Sequence, residues 1–423
     1  MSTVVETRGA GRRSTFASLA VPNYRRYATG QIVSLSGTWM QRVAQDWLVL
    51  DLSGGSATAL GAAVALQFAP TLALSLWGGV LADRLDKRRA LVVLQSAMGL
   101  CALGLGLAVV GGVAQLWHVY LFCLLLGTFS ALDVPVRQAF VSELVGPALV
   151  GNAVALNSVT FNLSRVLGPA LAGVLIGVVG TGPVFLVNAA SFAAVLVGLV
   201  RMDPSGLFRS EPVARAPGQL REGLRYVLRR PDLVAVLVLL FAVSTFALNF
   251  YLTLPLLTRS VFGLGADAYG LMTAVLAAGS VLGAVVAARR TARPRLRLVT
   301  GAALVFGALV VAVGLMPTYA LACALLVPTG VAALTFTTAA NAAVQMGVEP
   351  EVRGRVMGLY VLVFLGSTPV GAPLLGLVAE RFGARAPLVA GGALALIVVL
   401  GVALVLARRS RRGTPLPSST RLG

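Results

Sequence analysis

The stretch Trp77-Gly78-Gly79-Val80-Leu81-Ala82-Asp83-Arg84-Leu85-Asp86-Lys87-Arg88-Arg89 marks the point where an apolar run ends and a dense group of charges begins. Six of the seven residues from 83 to 89 are charged. The apolar part suits a helix in the hydrocarbon core of a bilayer, whereas the charged part needs water or lipid headgroups. Gly78 and Gly79 let another helix approach closely at the exit. The stretch therefore predicts a membrane helix that leaves the bilayer into a tight basic turn.

The composition places the whole chain in a membrane. Of its 423 residues 57% are hydrophobic and 12% are charged, and the mean hydropathy is +0.88. A soluble protein of this composition would expose too much apolar surface. The net charge of +19 lies in loops between apolar runs, which argues against a nucleic-acid partner.

Twelve apolar runs are long enough to span a bilayer, at about 20 residues per span. We therefore predict an all-α integral membrane protein with twelve transmembrane helices in two six-helix halves. The predicted parts are a cytoplasmic N-terminal tail (1–26), the first half (27–201), a cytoplasmic linker (202–230), the second half (231–407) and a basic cytoplasmic tail (408–423).

The distribution of basic residues predicts the orientation. Loops and tails on the side of the termini hold 28 of the 34 basic residues, and the opposite side holds Arg259, Arg381 and Arg385. By the positive-inside rule we expect both termini in the cytoplasm. The membrane is expected to be the plasma membrane. The linker segment 217–230 has the apolar spacing of an amphipathic helix that would lie on the anionic inner leaflet.

An internal repeat supports two halves of equal architecture. A shift of 203 residues aligns 138–180 with 341–383 without gaps. The shift superposes Gly168 on Gly371 and Gly173 on Gly376. Two copies in the same orientation predict halves related by a pseudo-two-fold axis along the membrane normal.

The opening stretch resembles the loop signature of the major facilitator superfamily, G-x-x-x-D-R-x-G-R-R, with Asp86 in place of its second glycine. The segments 23–27, 37–41, 133–139 and 353–358 resemble the superfamily branch of siderophore (enterobactin) and macrolide exporters. The resemblance implies transport by alternating access, with the loop as a cytoplasmic gate. The residues that it assigns to the gate are Gly79, Asp83, Arg84, Lys87, Arg88, Glu143 and Arg353.

Charges inside predicted spans are costly and mark candidate proton-coupling residues. Asp133 and Arg165 lie near the centres of spans 4 and 5 and can pair across the cavity. Arg42 and Asp46 lie one turn apart on span 1. Two readings stay open for each: a carboxylate that exchanges a proton as its pair opens, or a fixed salt bridge. The complete set of candidates is Asp133, Asp46, Arg165, Arg42 and Arg137.

Span 5 contains a short Gly-Pro pattern that resembles a signature of superfamily exporters. Proline removes a backbone hydrogen bond and glycine permits close approach, so this helix can kink and seal against the other half. Ordinary small-residue packing is the alternative. The residues concerned are Gly168, Pro169, Gly173 and Gly177.

The substrate site is expected between the halves, near the middle of the membrane. Few charges and many apolar residues suit a bulky amphiphile. The candidates for the cavity wall are Gln31, Gln41, Gln45, Asn249, Tyr251, Asn341, Phe241 and Phe246.

These features predict a proton-coupled exporter, a monomeric antiporter for a hydrophobic or amphiphilic small molecule such as a drug, a macrolide or a siderophore. The chain lacks a nucleotide-binding loop, and no metal or other cofactor is expected beside the proton gradient. One histidine and three scattered cysteines give no convergent set for an enzyme. A non-transporting ligand sensor or assembly partner, and an importer of the same fold, are the alternatives.

Overall fold

The computed structural model describes residues 15–208, 219–289 and 294–411, with the side chains of 75–84, 219–222, 351 and 409–411 outside the description. The predicted tails fall largely outside these ranges. The described chain is helical. Its α-helices are α1 (Pro22–Leu52), α2 (Ala57–Arg84), α3 (Lys87–Val110), α4 (Leu116–Val145), α5 (Val150–Val179), α6 (Thr181–Val200), α7 (Gln219–Leu228), α8 (Pro231–Phe246), α9 (Phe250–Leu256), α10 (Ala266–Ala288), α11 (Leu296–Leu315), α12 (Tyr319–Gln345), α13 (Pro350–Phe382) and α14 (Ala386–Arg411).

The described helices correspond to the twelve predicted spans. Eleven segments are long and apolar enough to cross a membrane, and one of them, Pro231–Val261, comprises α8, α9 and a further turn. The twelfth is α1, whose 31 residues include five charged side chains and which packs along α5 and α6. The predicted fold class, with α1–α6 in one half and α8–α14 in the other, is confirmed.

The two halves pack on each other through two equivalent interfaces. In the first, α5 packs on α10, and in the second α13 packs on α2. A Cβ atom on Gly270 would lie 2.4 Å from the carbonyl oxygen of Pro169, and one on Gly61 would lie 2.8 Å from that of Ala372. Pro169 and Ala372 are 203 residues apart, so the shift found in the sequence relates the two interfaces.

Polar contacts between the halves gather at one end of the bundle, which we call the distal end. It holds the loops 53–56, 111–115, 262–265 and 383–385, whereas α1 begins and α14 ends at the opposite, terminal end. The carboxylate of Glu380 accepts hydrogen bonds from the backbone N–H groups of Ala57, at 2.9 Å, and Thr58, at 3.2 Å. Arg259 forms an ion pair with Asp51 nearby. The distal end is therefore closed.

The predicted linker helix is present as α7, which packs on α13. Val227 is buried, whereas Leu224 and Leu228 remain exposed. A Cβ on Gly223 would lie 3.1 Å from the backbone of Arg355, so α7 runs close to the beginning of α13. One face of α7 is thus held by the second half, and binding of the exposed leucines to a leaflet stays a prediction.

Candidate functional site

A central cavity of about 390 Å³ lies between the two halves, below the closed distal end. This is within the size range of small-molecule sites, roughly 300–1,000 Å³. The first half contributes α1, α2 and α5, and the second half contributes α8–α10, α12 and α13. The lining residues are Trp39, Arg42, Phe68, Phe161, Arg165, Ser244, Leu248, Phe250, Tyr251, Leu254, Tyr269, Thr273, Leu276, Ser280, Ala333, Leu334, Thr337, Phe364, Leu365 and Thr368.

A break in the seventh span shapes one wall of the cavity. α8 ends at Phe246 and α9 begins at Phe250, and Asn249 between them donates a 2.7 Å hydrogen bond to the carbonyl oxygen of Thr245. This amide serves a backbone group that the interrupted helix leaves without its regular partner. The break presents Tyr251 to the cavity, where its ring stacks on Phe68 of the other half at 6.1 Å between centroids.

Two arginines of the first half face the cavity among aromatic rings. The guanidinium of Arg42 lies 5.1 Å from the ring centroid of Trp39, 5.5 Å from Phe68 and 5.3 Å from Tyr251. Arg165 lies 5.9 Å from the same Trp39 ring. Such contacts stabilise a cation at the negative face of an aromatic ring.

Asp46 joins the two halves at the distal side of the cavity. Its carboxylate is buried and accepts a 2.7 Å hydrogen bond from the hydroxyl of Tyr269 on α10. Tyr269 also lines the cavity and stacks on Trp47. The expected proximity of Arg42 to Asp46 along α1 is present in the helix, but the guanidinium is surrounded by aromatic rings and the carboxylate bonds to the phenol.

Asp133 lies in a side pocket of about 150 Å³ that shares Trp39, Arg42 and Phe161 with the central cavity. It pairs with Arg137 on the same helix, at 3.0 Å, and accepts a 2.7 Å hydrogen bond from Gln95. The expectation that Asp133 pairs with Arg165 is therefore wrong. Arg137, one helical turn away, reaches the carboxylate first, and Arg165 is directed at Trp39.

The predicted cavity residues are only partly brought together. Tyr251 lines the central cavity and Gln31 lines the side pocket. Gln41 accepts a hydrogen bond from Asn188, and Gln45 donates one of 3.0 Å to Gln67, so both hold helices of the first half together.

Four other candidates for the cavity wall are displaced from it. Asn249 caps the helix break as described, and Asn341 lies beside the hydroxyl of Tyr360. Phe241 is 47% exposed on α8, and the backbone of Phe246 packs against Gly391 of α14. Neither phenylalanine lines the central cavity. After the break at 247–249 it is α9, with Phe250 and Tyr251, that faces the cavity.

Sequence reasoning missed most of the aromatic wall. Trp39, Phe68, Phe161 and Tyr269 were not among the candidates, although Trp39 stands within the branch-like segment 37–41. Aromatic residues on an apolar helix carry no periodic signal that separates a cavity wall from helix packing or lipid contact. Only the packing of the halves distinguishes them.

The predicted gate is described in part. The side chains of Gly79, Asp83 and Arg84 lie outside the described residues. Lys87 forms a 2.7 Å ion pair with Glu143, whereas Arg88 donates to the carbonyl oxygens of Leu199 and Val200. Glu143 is therefore paired with Lys87, and Arg88 of the same helix is directed at the end of α6. Arg353 is exposed at the beginning of α13.

The glycines of α5 serve different contacts. A Cβ on Gly168 would lie 2.5 Å from the Cβ of Trp39, which is within the first half. Gly173 meets the other half, since its Cβ would lie 2.9 Å from the Cα of Asp267 on α10. Pro169 lies at the same interface, whereas a Cβ on Gly177 would meet no atom within 4 Å. Close approach between the halves thus depends on Gly173 and the backbone of Pro169.

Comparison with known protein families gives one match over nearly the whole chain. A family described as transmembrane secretion effector matches residues 13–417. The enterobactin exporter EntS of Escherichia coli is 28% identical over 348 residues, which are 80% of this chain and 81% of that protein. The staphyloferrin A transporter of Staphylococcus aureus is 26% identical over 257 residues, 59% of this chain and 63% of the transporter. The aligned part thus spans less than two thirds of that relative.

Solved structures show the same fold. A bacterial homologue of the human lysosomal transporter Spinster, in an inward-facing and unoccupied conformation, superposes with a TM-score of 0.74 at 17% identity. The superposition covers 94% of this chain and 99% of the homologue. The nucleoside transporter NupG gives a TM-score of 0.72 at 11% identity, over 91% of this chain and 99% of NupG. At these identities the likeness concerns the fold alone.

Proposed function

The chain belongs to the transmembrane secretion effector family of the major facilitator superfamily, and from this we propose that it is a proton-coupled exporter of an amphiphilic small molecule. It works as a monomer in the plasma membrane, with the terminal end in the cytoplasm and the distal end outside. Siderophores are the first substrate class to test, because relatives are described as an enterobactin exporter and a staphyloferrin A transporter.

The observation that carries the proposal is the position of Tyr269. This residue lines the central cavity, belongs to the second half and donates its hydroxyl to Asp46 of the first half. Tyr269 therefore responds to three events: binding of substrate in the cavity, closure of the distal end and protonation of Asp46. Coupling needs such a shared element, because a ligand shifts a conformational equilibrium only through interactions that differ between the states.

In this proposal Asp46 exchanges protons with different sides in different states. With the distal end closed, Asp46 lies next to Tyr269, which lines the cavity, and it gives up its proton toward that side. When α1 and α10 separate, Asp46 faces the outside. A buried carboxylate without its hydrogen-bond donor is costly, so loss of the Tyr269 bond favours uptake of a proton from the outside.

Asp133 is the second candidate for the coupling carboxylate, and its contacts favour it less. Its partners Arg137 and Gln95 belong to α4 and α3 of the same half. A rigid-body movement of the halves leaves this pair intact, so the movement does not by itself change the environment of the proton. In this proposal the ion pair of Asp133 and Arg137 stabilises the wall of the side pocket.

The test uses sealed inverted vesicles that respiration acidifies inside, with a pH-sensitive dye. Catecholate siderophores, macrolides and lipophilic cations are added in turn. An exporter that exchanges a proton for substrate discharges the gradient when its substrate is added, and vesicles without the protein do not respond. Asp46→Asn abolishes the response, whereas Asp133→Asn retains a measurable part of it.

Three outcomes contradict the proposal. A full response in Asp46→Asn removes the coupling role of that residue. A substrate that binds to the purified protein without crossing the membrane indicates a ligand sensor or an assembly partner. Substrate movement out of the acidified lumen together with protons identifies an importer.

A further inference from the structure

The two cavity arginines hold more hydrogen-bond donors than the described structure satisfies. Each guanidinium carries five N–H donors. In the central cavity Arg42 and Arg165 contact aromatic rings. The rings stabilise the positive charge but do not accept regular hydrogen bonds from the N–H groups. Both side chains are only partly buried, so the free donors face the cavity.

The described wall of the central cavity carries two arginines and no carboxylate. Its lining includes Arg42 and Arg165, and the described lining residues contain no aspartate or glutamate. Asp46, one helical turn from Arg42, accepts its hydrogen bond from Tyr269, and Asp133 is paired with Arg137, so neither carboxylate is hydrogen-bonded to Arg42 or Arg165. A guanidinium at membrane depth whose donors lack a hydrogen-bonded partner is unfavourable unless a ligand or water supplies the acceptor.

The two arginines are placed to act on one ligand. Their guanidinium carbons lie 5.1 Å and 5.9 Å from the centroid of the same Trp39 ring. The planar fork of a guanidinium matches a carboxylate or a pair of phenolate oxygens with two parallel hydrogen bonds. Phe68, Phe161 and Tyr251 line the same region and offer aromatic faces to the body of the ligand.

We propose that Arg42 and Arg165 form a binding site for the anionic head of the cargo, which is an aromatic or amphiphilic acid. The oxygen atoms of the head accept hydrogen bonds from the two guanidinium groups. The ring or chain of the body packs against the aromatic and aliphatic residues that line the central cavity. Neutral and cationic amphiphiles of the same size bind less tightly, because they leave the arginine donors unpaired.

The inference rests on the proposed function in one respect, namely that the bound ligand is the transported substrate. Binding of the ligand requires neither a proton gradient nor movement of the halves. The experiment is therefore an equilibrium measurement on the full chain in nanodiscs, which can fail or succeed independently of the vesicle experiment.

The probes are 2-naphthoate, 2-naphthamide and 2-naphthylmethylammonium, which share a bicyclic ring and differ in the charge of the head. Equilibrium dialysis against nanodiscs with and without the protein corrects for partition into lipid. Wild type is expected to bind naphthoate about tenfold or more tightly than naphthamide, the effect of one or two charge-assisted hydrogen bonds. The ammonium probe is expected to bind least.

The variants Arg42→Gln and Arg165→Gln separate a ligand contact from a structural role. Each is expected to reduce naphthoate binding about tenfold and to leave naphthamide binding unchanged. Arg297→Gln is the matched control, because Arg297 is exposed on α11 at the terminal end. Trp39→Phe keeps an aromatic platform and is expected to retain the preference for the anion.

The proposal is overturned if wild type binds the acid and the amide equally, or shows no naphthoate binding above empty nanodiscs. It is also overturned if either arginine variant loses both probes to the same extent, which would mean that the arginine only supports the aromatic wall. Preserved discrimination together with failed proton discharge in vesicles would contradict the coupling mechanism and support the anion site.

Discussion

The hydroxyl of Tyr269 donates a 2.7 Å hydrogen bond to the carboxylate of Asp46, and the two residues belong to opposite halves of the protein. The bond lies between the aromatic cavity and the closed distal end. A hydrogen bond of this kind is lost whenever α1 and α10 separate. It therefore contributes to the difference in free energy between the closed and open forms of the distal end.

Tyr269→Phe tests this contribution directly. The variant keeps the ring that stacks on Trp47 and removes only the donor. We expect the equilibrium to shift toward the distal-open form by about 1–3 kcal/mol, the value of a hydrogen bond to a charged or buried acceptor. Spin labels at Val113 and Leu264, exposed in distal loops of the two halves, report the shift as longer distances in a pulsed electron resonance experiment.

Tyr319→Phe is the control for Tyr269→Phe. The hydroxyl of Tyr319 donates to the carbonyl oxygen of Ala268, and both residues belong to the second half. Its loss leaves the contact between the halves intact and should not change the distance distribution. Equal distributions in wild type and Tyr269→Phe would show that the bond does not hold the distal end closed.

Gly270→Ala should open the interface between α5 and α10. The added Cβ would lie 2.4 Å from the carbonyl oxygen of Pro169, and backbone atoms cannot move away at low cost. We expect faster labelling of a cysteine placed at Thr273, in the cavity, by a membrane-impermeant reagent added on the distal side. The three native cysteines are replaced first.

Gly177→Ala is the matched control on α5, at an exposed position away from this interface. It adds the same methyl group to α5, where no atom lies within 4 Å. Labelling at Thr273 should stay at the wild-type rate. If Gly270→Ala labels no faster than Gly177→Ala, the glycine contact does not seal the cavity.

The fold was predictable because its signals are local and repeated. Apolar length and the 203-residue shift each require only the chain in order. The shift also relates glycines at the two interfaces, as Gly173 contacts α10 and Gly376 contacts the beginning of α2. Only α1 was weakly marked, because its five charges lower its apolar character.

The site was less predictable, because it depends on how the halves meet. The sequence identified Asp46 and Arg42 as intramembrane charges, yet the partner of Asp46 is 223 positions away on another half. No pattern along α10 distinguishes Tyr269 from an interface tyrosine. The sequence analysis paired Asp133 with Arg165. In the structure Arg137, one helical turn away, forms the ion pair instead. Arg165 is directed at Trp39, a contact between helices that the sequence does not show.

The ion pair between Lys87 and Glu143 should stabilise the first half. The side chains are 11% and 7% exposed, so removal of one leaves a buried charge alone. We expect Glu143→Gln to lower the free energy of unfolding by about 3–5 kcal/mol and the double variant Lys87→Gln/Glu143→Gln to lower it by less. Thermal unfolding of the purified protein measures both.

The exposed pair of Arg259 and Asp51 serves as the control for the buried one. Its side chains are 32% and 45% exposed. Asp51→Asn should therefore change stability by no more than about 1 kcal/mol. A double variant at Lys87 and Glu143 that loses as much as both single variants together would contradict the account.

Glu380 is a third polar link between the halves among the described residues, and its charge should matter more than its capacity to accept hydrogen bonds. Its carboxylate accepts from the first two N–H groups of α2, where the helix dipole favours a negative charge by about 0.3–1 kcal/mol at an exposed site. Glu380→Gln keeps an acceptor oxygen and removes the charge, so the distal end should open slightly, with a shift of about that size at low salt. High salt should reduce the difference between wild type and variant, because the site is near water.

The spin labels at Val113 and Leu264 measure this shift. Glu349→Gln is the control and should leave the distances unchanged. Glu349 is exposed before α13 at the terminal end, and its side chain makes no capping hydrogen bond. A shift that is as large at high salt as at low salt would mean that the hydrogen bonds of Glu380, and not its charge, hold the two halves together.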